Sequence, residues 1–166
     1  DHNYILNTIV KINSYNKYEN AWAKLEKDQI SIEKFSILFK EEAKQFGIKN
    51  INTDKLLECL NVKLNIKMVE LLKNISKFYT CVCLTNNFKN INSSNFDQIK
   101  NNFKLIIESS KIGLRKPEKQ IYTYVLKVLK VSAKEILFID DLGINLKSAK
   151  ELGFQTYKFI DTNKTI

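Results

Sequence analysis

The stretch ILFIDDLGINLKSAKELG, residues 136–153, decides the fold of this chain. Four apolar residues in a row, Ile136 to Ile139, lack the alternation of a half-wet strand and predict a strand covered on both faces. The run stops at Asp140-Asp141, and Gly143 follows. Leu146, Ala149 and Leu152 then recur at helical spacing, with Gly153 as the stop. A strand, an acidic turn and a helix make half of a βαβ unit, the connection that parallel strands require.

Working outward, the rhythm repeats. Thr156 to Ile160 reads as the next strand. Upstream, Pro117 opens a helix with Ile121, Val125, Leu126 and Val128 inward, and Leu105 to Ile107 and Phe78 to Leu84 read as two earlier strands. Four apolar runs alternating with helices predict an α/β fold with a parallel, doubly covered sheet. Asn86 to Asn102, rich in Asn and Ser, is the most loop-like stretch. From Tyr4 to about Phe78 the pattern is helical instead. Ser31 is a good N-cap for a helix carrying Ile32, Phe35, Leu38, Phe39, Ala43 and Phe46, and Gly47 stands just past it. Ala21, Trp22 and Leu25 mark a shorter helix. Thr53 can cap one with Leu56, Leu57 and Leu60, and Met68, Val69, Leu72 and Ile75 mark another. The expected organisation is a helical unit over residues 1–75 and an α/β unit over residues 76–166.

Composition narrows the chemistry. With 166 residues, 44% hydrophobic and 11% aromatic, the chain can bury a core. Its apolar runs are too short to span a bilayer. Cys59, Cys81 and Cys83 are an odd set, read as reduced core thiols in a cytosol-like, cytoplasmic compartment. His2 is the only histidine, which excludes Ser-His-Asp and Cys-His triads unless a frayed first turn supplies the imidazole, and excludes most zinc sites. The net charge of +9 invites a nucleic-acid reading, but of 27 basic residues Arg115 alone is arginine. The lysines are dispersed, and Lys, Asn and Ile are over-used together as an A/T-rich coding sequence would produce. A solvated Lys-rich surface is the better reading, with neither nucleic acid nor membrane as partner.

In an open parallel sheet, ligands bind beyond the carboxyl ends of the strands. Those ends here offer Thr85-Asn86-Asn87, then Glu108-Ser109-Ser110 leading to Lys116-Pro117, then Asp140-Asp141. Each has a plain alternative. Thr85-Asn86 can be turn chemistry, Lys116 one more surface lysine, and Asp140-Asp141 a helix cap. Together they make a coherent set for a phosphate and a divalent cation, because adjacent carboxylates repel unless a cation shares the site.

Leu84-Thr85-Asn86-Asn87, the stretch Glu108 to Glu118, and Ile139 to Asn145 resemble motifs two, three and four of the haloacid dehalogenase-like hydrolases. The nearest branch is the N-terminal phosphatase domain of bifunctional epoxide hydrolases. Glu19 to Glu26 followed by Ile30-Ser31 is similar to that branch's helical cap, and the resemblance runs from about Tyr18 to Asp161. It implies a Rossmannoid parallel sheet with a small helical cap, and a Mg²⁺-dependent phosphatase acting on a small phosphorylated substrate through an aspartyl-phosphate. By the same resemblance, Thr85 and the Asn86 amide would hold phosphoryl oxygens and Lys116 would pair with the phosphoryl charge. Asp141 would bind Mg²⁺ directly, and Asp140 would bind it or its water.

The family's first motif, a strand ending in Asp-x-Asp between the Thr85 and Asp140 strands, has no counterpart here. Asp1-His2-Asn3 cannot stand in for it. The expectation is a missing first core strand, no nucleophile Asp in this chain, and no turnover from it alone. A non-catalytic binding or scaffold protein on the same fold, and a Lys-rich nucleic-acid binder, are the competing classes.

Overall fold

The computed structural model describes residues 10–60, 63–89 and 94–161. Expectations that fall on Asp1-His2-Asn3 lie outside these. Two compact units emerge, the first from residues 1–62, 87–92 and 109–113, the second from residues 63–86, 93–108 and 114–166.

The first unit is helical. α1 (Ala21–Glu26) starts at Asn20, whose side chain accepts from the Ala23 amide. α2 (Ile32–Gln45) is capped by Ser31 as expected, its side chain accepting from the Lys34 amide. Gly47 follows α2 at φ +85°, a conformation a side chain would strain. α3 (Thr53–Glu58) corrects one expectation. Asn52 is its cap, while Thr53 is buried, its hydroxyl 2.6 Å from that of Ser36. The apolar stripe of α2 forms the core, with Phe35, Phe39 and Ala43 fully buried beside Leu25, Ala21, Ile12 and Phe88. Trp22 packs edge-on against Phe35, which stacks on Phe39 at 5.2 Å.

The second unit is α/β. α4 (Ile66–Ile75) leads to β1 (Val82–Thr85), which pairs in parallel with β2 (Leu105–Glu108), Thr85 opposite Glu108. Between them lie α5 (Ser94–Asp97) and a 3₁₀ turn, Lys100–Asn102. α6 (Ser109–Ile112) follows β2 and belongs to the first unit. α7 (Lys119–Leu129) and a 3₁₀ turn precede β3 (Leu137–Asp140). α8 (Gly143–Lys150) then returns the chain to β4 (Gln155–Lys158), parallel to β3. The α/β reading with parallel strands holds.

Several details differ from the expectation. Among the described residues the strands form two separate two-stranded ladders, β1–β2 and β3–β4. β1 begins four residues later than expected, leaving Phe78 and Tyr79 exposed in the turn after α4. Coverage is partial. No β1 residue is fully buried, and Leu137 and Ile139 of β3 are 58% and 40% exposed. On α7 the buried face is Ile121, Tyr122 and Val125, whereas Val128 is exposed. Of the three free cysteines, Cys59 is exposed, not core. Burial pushes the Cys83 thiol up to about 11, the Glu108 carboxylate adding to the rise and the Lys116 ammonium opposing it. No helix among the described residues is long and apolar enough to cross a membrane.

Candidate functional site

The carboxyl ends of β1 and β3 in the second unit are joined through one residue. Asn86, directly after β1, donates from Nδ2 to the Lys116 carbonyl at 2.9 Å and accepts the Lys116 amide on Oδ1 at 2.8 Å. This two-point clasp fixes the Lys116 backbone. At its other end, Lys116 Nζ donates to Asp140 Oδ2 at 2.7 Å, with side chains only 13% and 4% exposed. The same ammonium sits 5.7 Å from the centre of the Phe138 ring. Pro117, after a cis peptide bond, is buried, and α7 starts two residues beyond it.

Asp140 is saturated on the other side as well. Its Oδ1 accepts the Leu142 amide at 2.8 Å and Asn145 Nδ2 at 3.0 Å. A buried carboxylate is tolerable only with such a set of donors. Asn145 is itself buried, and its carbonyl accepts the Tyr122 hydroxyl at 2.9 Å. Burial, with a smaller contribution from the Asp140 charge, raises the Tyr122 phenol far above its ordinary range, so it remains a proton donor.

The remaining expected residues are arranged differently. Thr85 directs its hydroxyl at the neighbouring Asn86 carbonyl over 3.4 Å, a weak local bond of the turn type. Asp141 is exposed, and no described residue pairs with its carboxylate. Asn87, Ser109 and Ser110 form a cluster of their own in the first unit. Ser109 Oγ accepts the Asn87 amide and donates to its carbonyl, both at 2.9 Å, and Ser110 Oγ donates to Asn87 Oδ1 at 2.9 Å. Phe39 belongs to the buried core of the first unit, and Trp22 packs against it. The sequence reading did not assign Asn145 or Tyr122 to the site. Their signals were an amide in the first turn after an acidic strand end, and a hydroxyl on the buried stripe of α7.

Among the described residues no cluster of three or more acidic, His or Cys side chains converges to hold a metal. The fitting donor set for a hard cation is the free Asp141 carboxylate beside Asp140. Mg²⁺ commonly takes one or two carboxylates and keeps water or phosphate oxygens in its other positions.

Comparison with known proteins identifies the family and the fold. The model of the haloacid dehalogenase-like hydrolase family matches residues 4–159. Bifunctional epoxide hydrolase 2 of Sus scrofa is 32% identical over 129 residues, 73% of this chain and 22% of its own length. Acyl-CoA dehydrogenase family member 10 of Mus musculus is 28% identical over 91% of the chain and 15% of its own length. The chain therefore spans about a fifth or less of these relatives. A HAD-family enzyme of Bacteroides thetaiotaomicron, solved with magnesium and inorganic phosphate, superposes with a TM-score of 0.64 at 22% identity, covering 95% of this chain and 83% of that one. A predicted HAD-like hydrolase of Porphyromonas gingivalis gives 0.65 at 18% identity, covering 95% and 83%. With parallel strands alternating with helices and a family match over residues 4–159, this chain belongs to the haloacid dehalogenase-like hydrolases.

Proposed function

We propose that this chain forms the phosphate- and Mg²⁺-binding part of a phosphatase-type hydrolase acting on a small phosphate monoester. The observation that carries the reading is the anchoring of Lys116, by Asn86 at its backbone and Asp140 at its ammonium, where β1 and β3 end. A cation fixed at both ends meets phosphoryl charge without reorganising, which is the main requirement of a loose, charge-spread transition state. Thr85 gives up only a 3.4 Å contact when its hydroxyl turns to a phosphoryl oxygen, and the Asn86 amide adds a second donor. Asp141 supplies the metal's carboxylate. Asp140, committed to three donors, orients Lys116 and the turn first and contributes at most a spare lone pair to the cation. Bound Mg²⁺ would neutralise charge on the phosphoryl oxygens. The magnesium and phosphate held by the Bacteroides neighbour support this reading.

The aspartyl-phosphate route needs a carboxylate free to attack phosphorus. Asp140 is spent and Asp141 is assigned to the metal, so binding without turnover is expected from the residues of this chain. The same commitment of Asp140 favours a second reading, a non-catalytic phosphate-binding protein. The readings share the binding step and divide on release of product.

Calorimetric titration with inorganic phosphate, with and without Mg²⁺, tests the binding step. We expect Mg²⁺-dependent affinity that Asp141→Asn and Lys116→Ala each weaken about tenfold or more, as loss of a charged partner does, while Lys111→Ala leaves it unchanged. Unaltered Mg²⁺ dependence in Asp141→Asn would falsify the metal assignment. Hydrolysis of p-nitrophenyl phosphate by the same preparation would favour the enzyme over the binding protein.

A further inference from the structure

Tyr122 lies one helical turn inside α7, fully buried, and it touches the Lys116 site by two routes. Its hydroxyl donates to the carbonyl of Asn145, the residue whose side chain holds Asp140 Oδ1. Its ring meets Phe138 edge-on at 5.6 Å, and Phe138 is the ring facing the Lys116 ammonium. A second edge contact, to Phe154 at 5.9 Å, fixes the ring from another direction. A buried phenol always needs an acceptor, and many carbonyls would serve. The carbonyl used here belongs to Asn145, whose side chain, beside the Leu142 amide, grips the carboxylate paired with Lys116.

We propose that Tyr122 is a positioning residue that sets the Lys116 ammonium from behind, through Asn145 to Asp140 and through Phe138 to the ammonium itself. It touches no ligand. Removing its hydroxyl lets Asn145 drift, loosens one of the two bonds on Asp140 Oδ1, and frees Asp140 to release Lys116. That the positioned cation serves phosphate rests on the function proposed above; the linkage itself does not.

Rates of amine acylation at Lys116, followed by mass spectrometry of the folded protein, read this directly, because a paired and nearly buried ammonium reacts slowly. Asp140→Asn calibrates the rate of a released Lys116. Tyr122→Phe keeps the ring and loses the hydroxyl, and amide hydrogen exchange over Lys119–Leu129 monitors whether α7 stays folded. The expected result is Lys116 labelling about three- to tenfold faster in Tyr122→Phe, the range matching loss of one buried hydrogen bond, with exchange in α7 unchanged. Labelling equal to wild type overturns the proposal. So does faster labelling accompanied by equally faster exchange in α7, since Tyr122 would then hold the helix and not the cation. A separate arm with Mg²⁺ and inorganic phosphate added to wild type tests the functional reading. Absence of protection at Lys116 there counts against phosphate as ligand and leaves the Tyr122 result standing by itself.

Discussion

The two units bury charge in different ways. In the helical unit Phe35, Phe39 and Ala43 of α2 form an apolar cluster removed from solvent, and the buried charged residues Glu26 and Lys27 stand outside it, each bonded locally, to the Trp22 indole and the Tyr18 carbonyl. In the α/β unit the best-buried strand-end group is a carboxylate, Asp140, while apolar residues of the same strand stay exposed. A core built for stability alone would reverse that. Burial of a charge with its full set of donors is what the binding role proposed above for this strand end would need.

Truncation experiments break or sharpen this contrast. The largest loss should come from Phe39→Ala, about 3–5 kcal/mol of unfolding free energy, because a stacked ring leaves a cavity in a core with little freedom to collapse. Asp140→Ala should follow at about 3 kcal/mol, by stranding the Lys116 ammonium, the Leu142 amide and the Asn145 side chain together. Both are read by urea unfolding. If Asp140→Ala proves as harmless as a surface change, the donor set is ornamental and the contrast fails. Asp141→Asn, on the neighbouring exposed carboxylate, should shift stability by less than about 0.5 kcal/mol while weakening Mg²⁺-dependent phosphate binding as stated above.

The smallest effect sits in the helical unit, at its own misplaced charge. Glu42 Oε1 accepts the Ala21 amide at 2.8 Å, but Oε2 is buried without a hydrogen-bond partner among the described residues. Burial raises this carboxyl, with the Ala21 bond and the Lys24 charge opposing it. The folded state thus holds the proton more tightly than the unfolded state. Its stability contribution falls as pH rises from the ordinary carboxyl range through the raised value, and it returns on acidification. Glu42→Gln should remove that slope, measured by denaturant midpoints between about pH 4 and pH 7. A wild-type slope of opposite sign at this residue would show that the Ala21 bond outweighs desolvation.

Much of the architecture was legible in the residues. Periodicity located α2 with its Ser31 cap, and apolar runs located β2, β3 and β4 to within two residues, because local pattern and tertiary demand agree there. The Phe78–Leu84 run misled at its start. Aromatic residues that read as strand are left in a turn, since without pairing partners their apolarity places no constraint on the backbone. Thr53 misled for a related reason, in that Asn52 and Thr53 are both capable caps and the half-buried Ser36 hydroxyl claims the buried threonine. At the site, sequence named Lys116, Asn86, Asp140 and Asp141, but it could not say which bond reaches which. The clasp of Asn86 on Lys116 joins residues thirty apart, and Tyr122 to Asn145 joins residues twenty-three apart. Such linkages are set by packing, which periodicity does not encode.

The end of α7 is closed by a residue that ordinarily avoids such a position. Its last turn closes on Lys130 at φ +55°, the left-handed position that glycine usually occupies. Asn16 and Asp28 also take positive φ, in a chain that has only four glycines. None of the three has glycine's freedom at these angles, so each turn holds a mildly strained residue that the surrounding structure must keep in place. Lys130→Gly would relieve one of them, visible as a small rise in thermal midpoint.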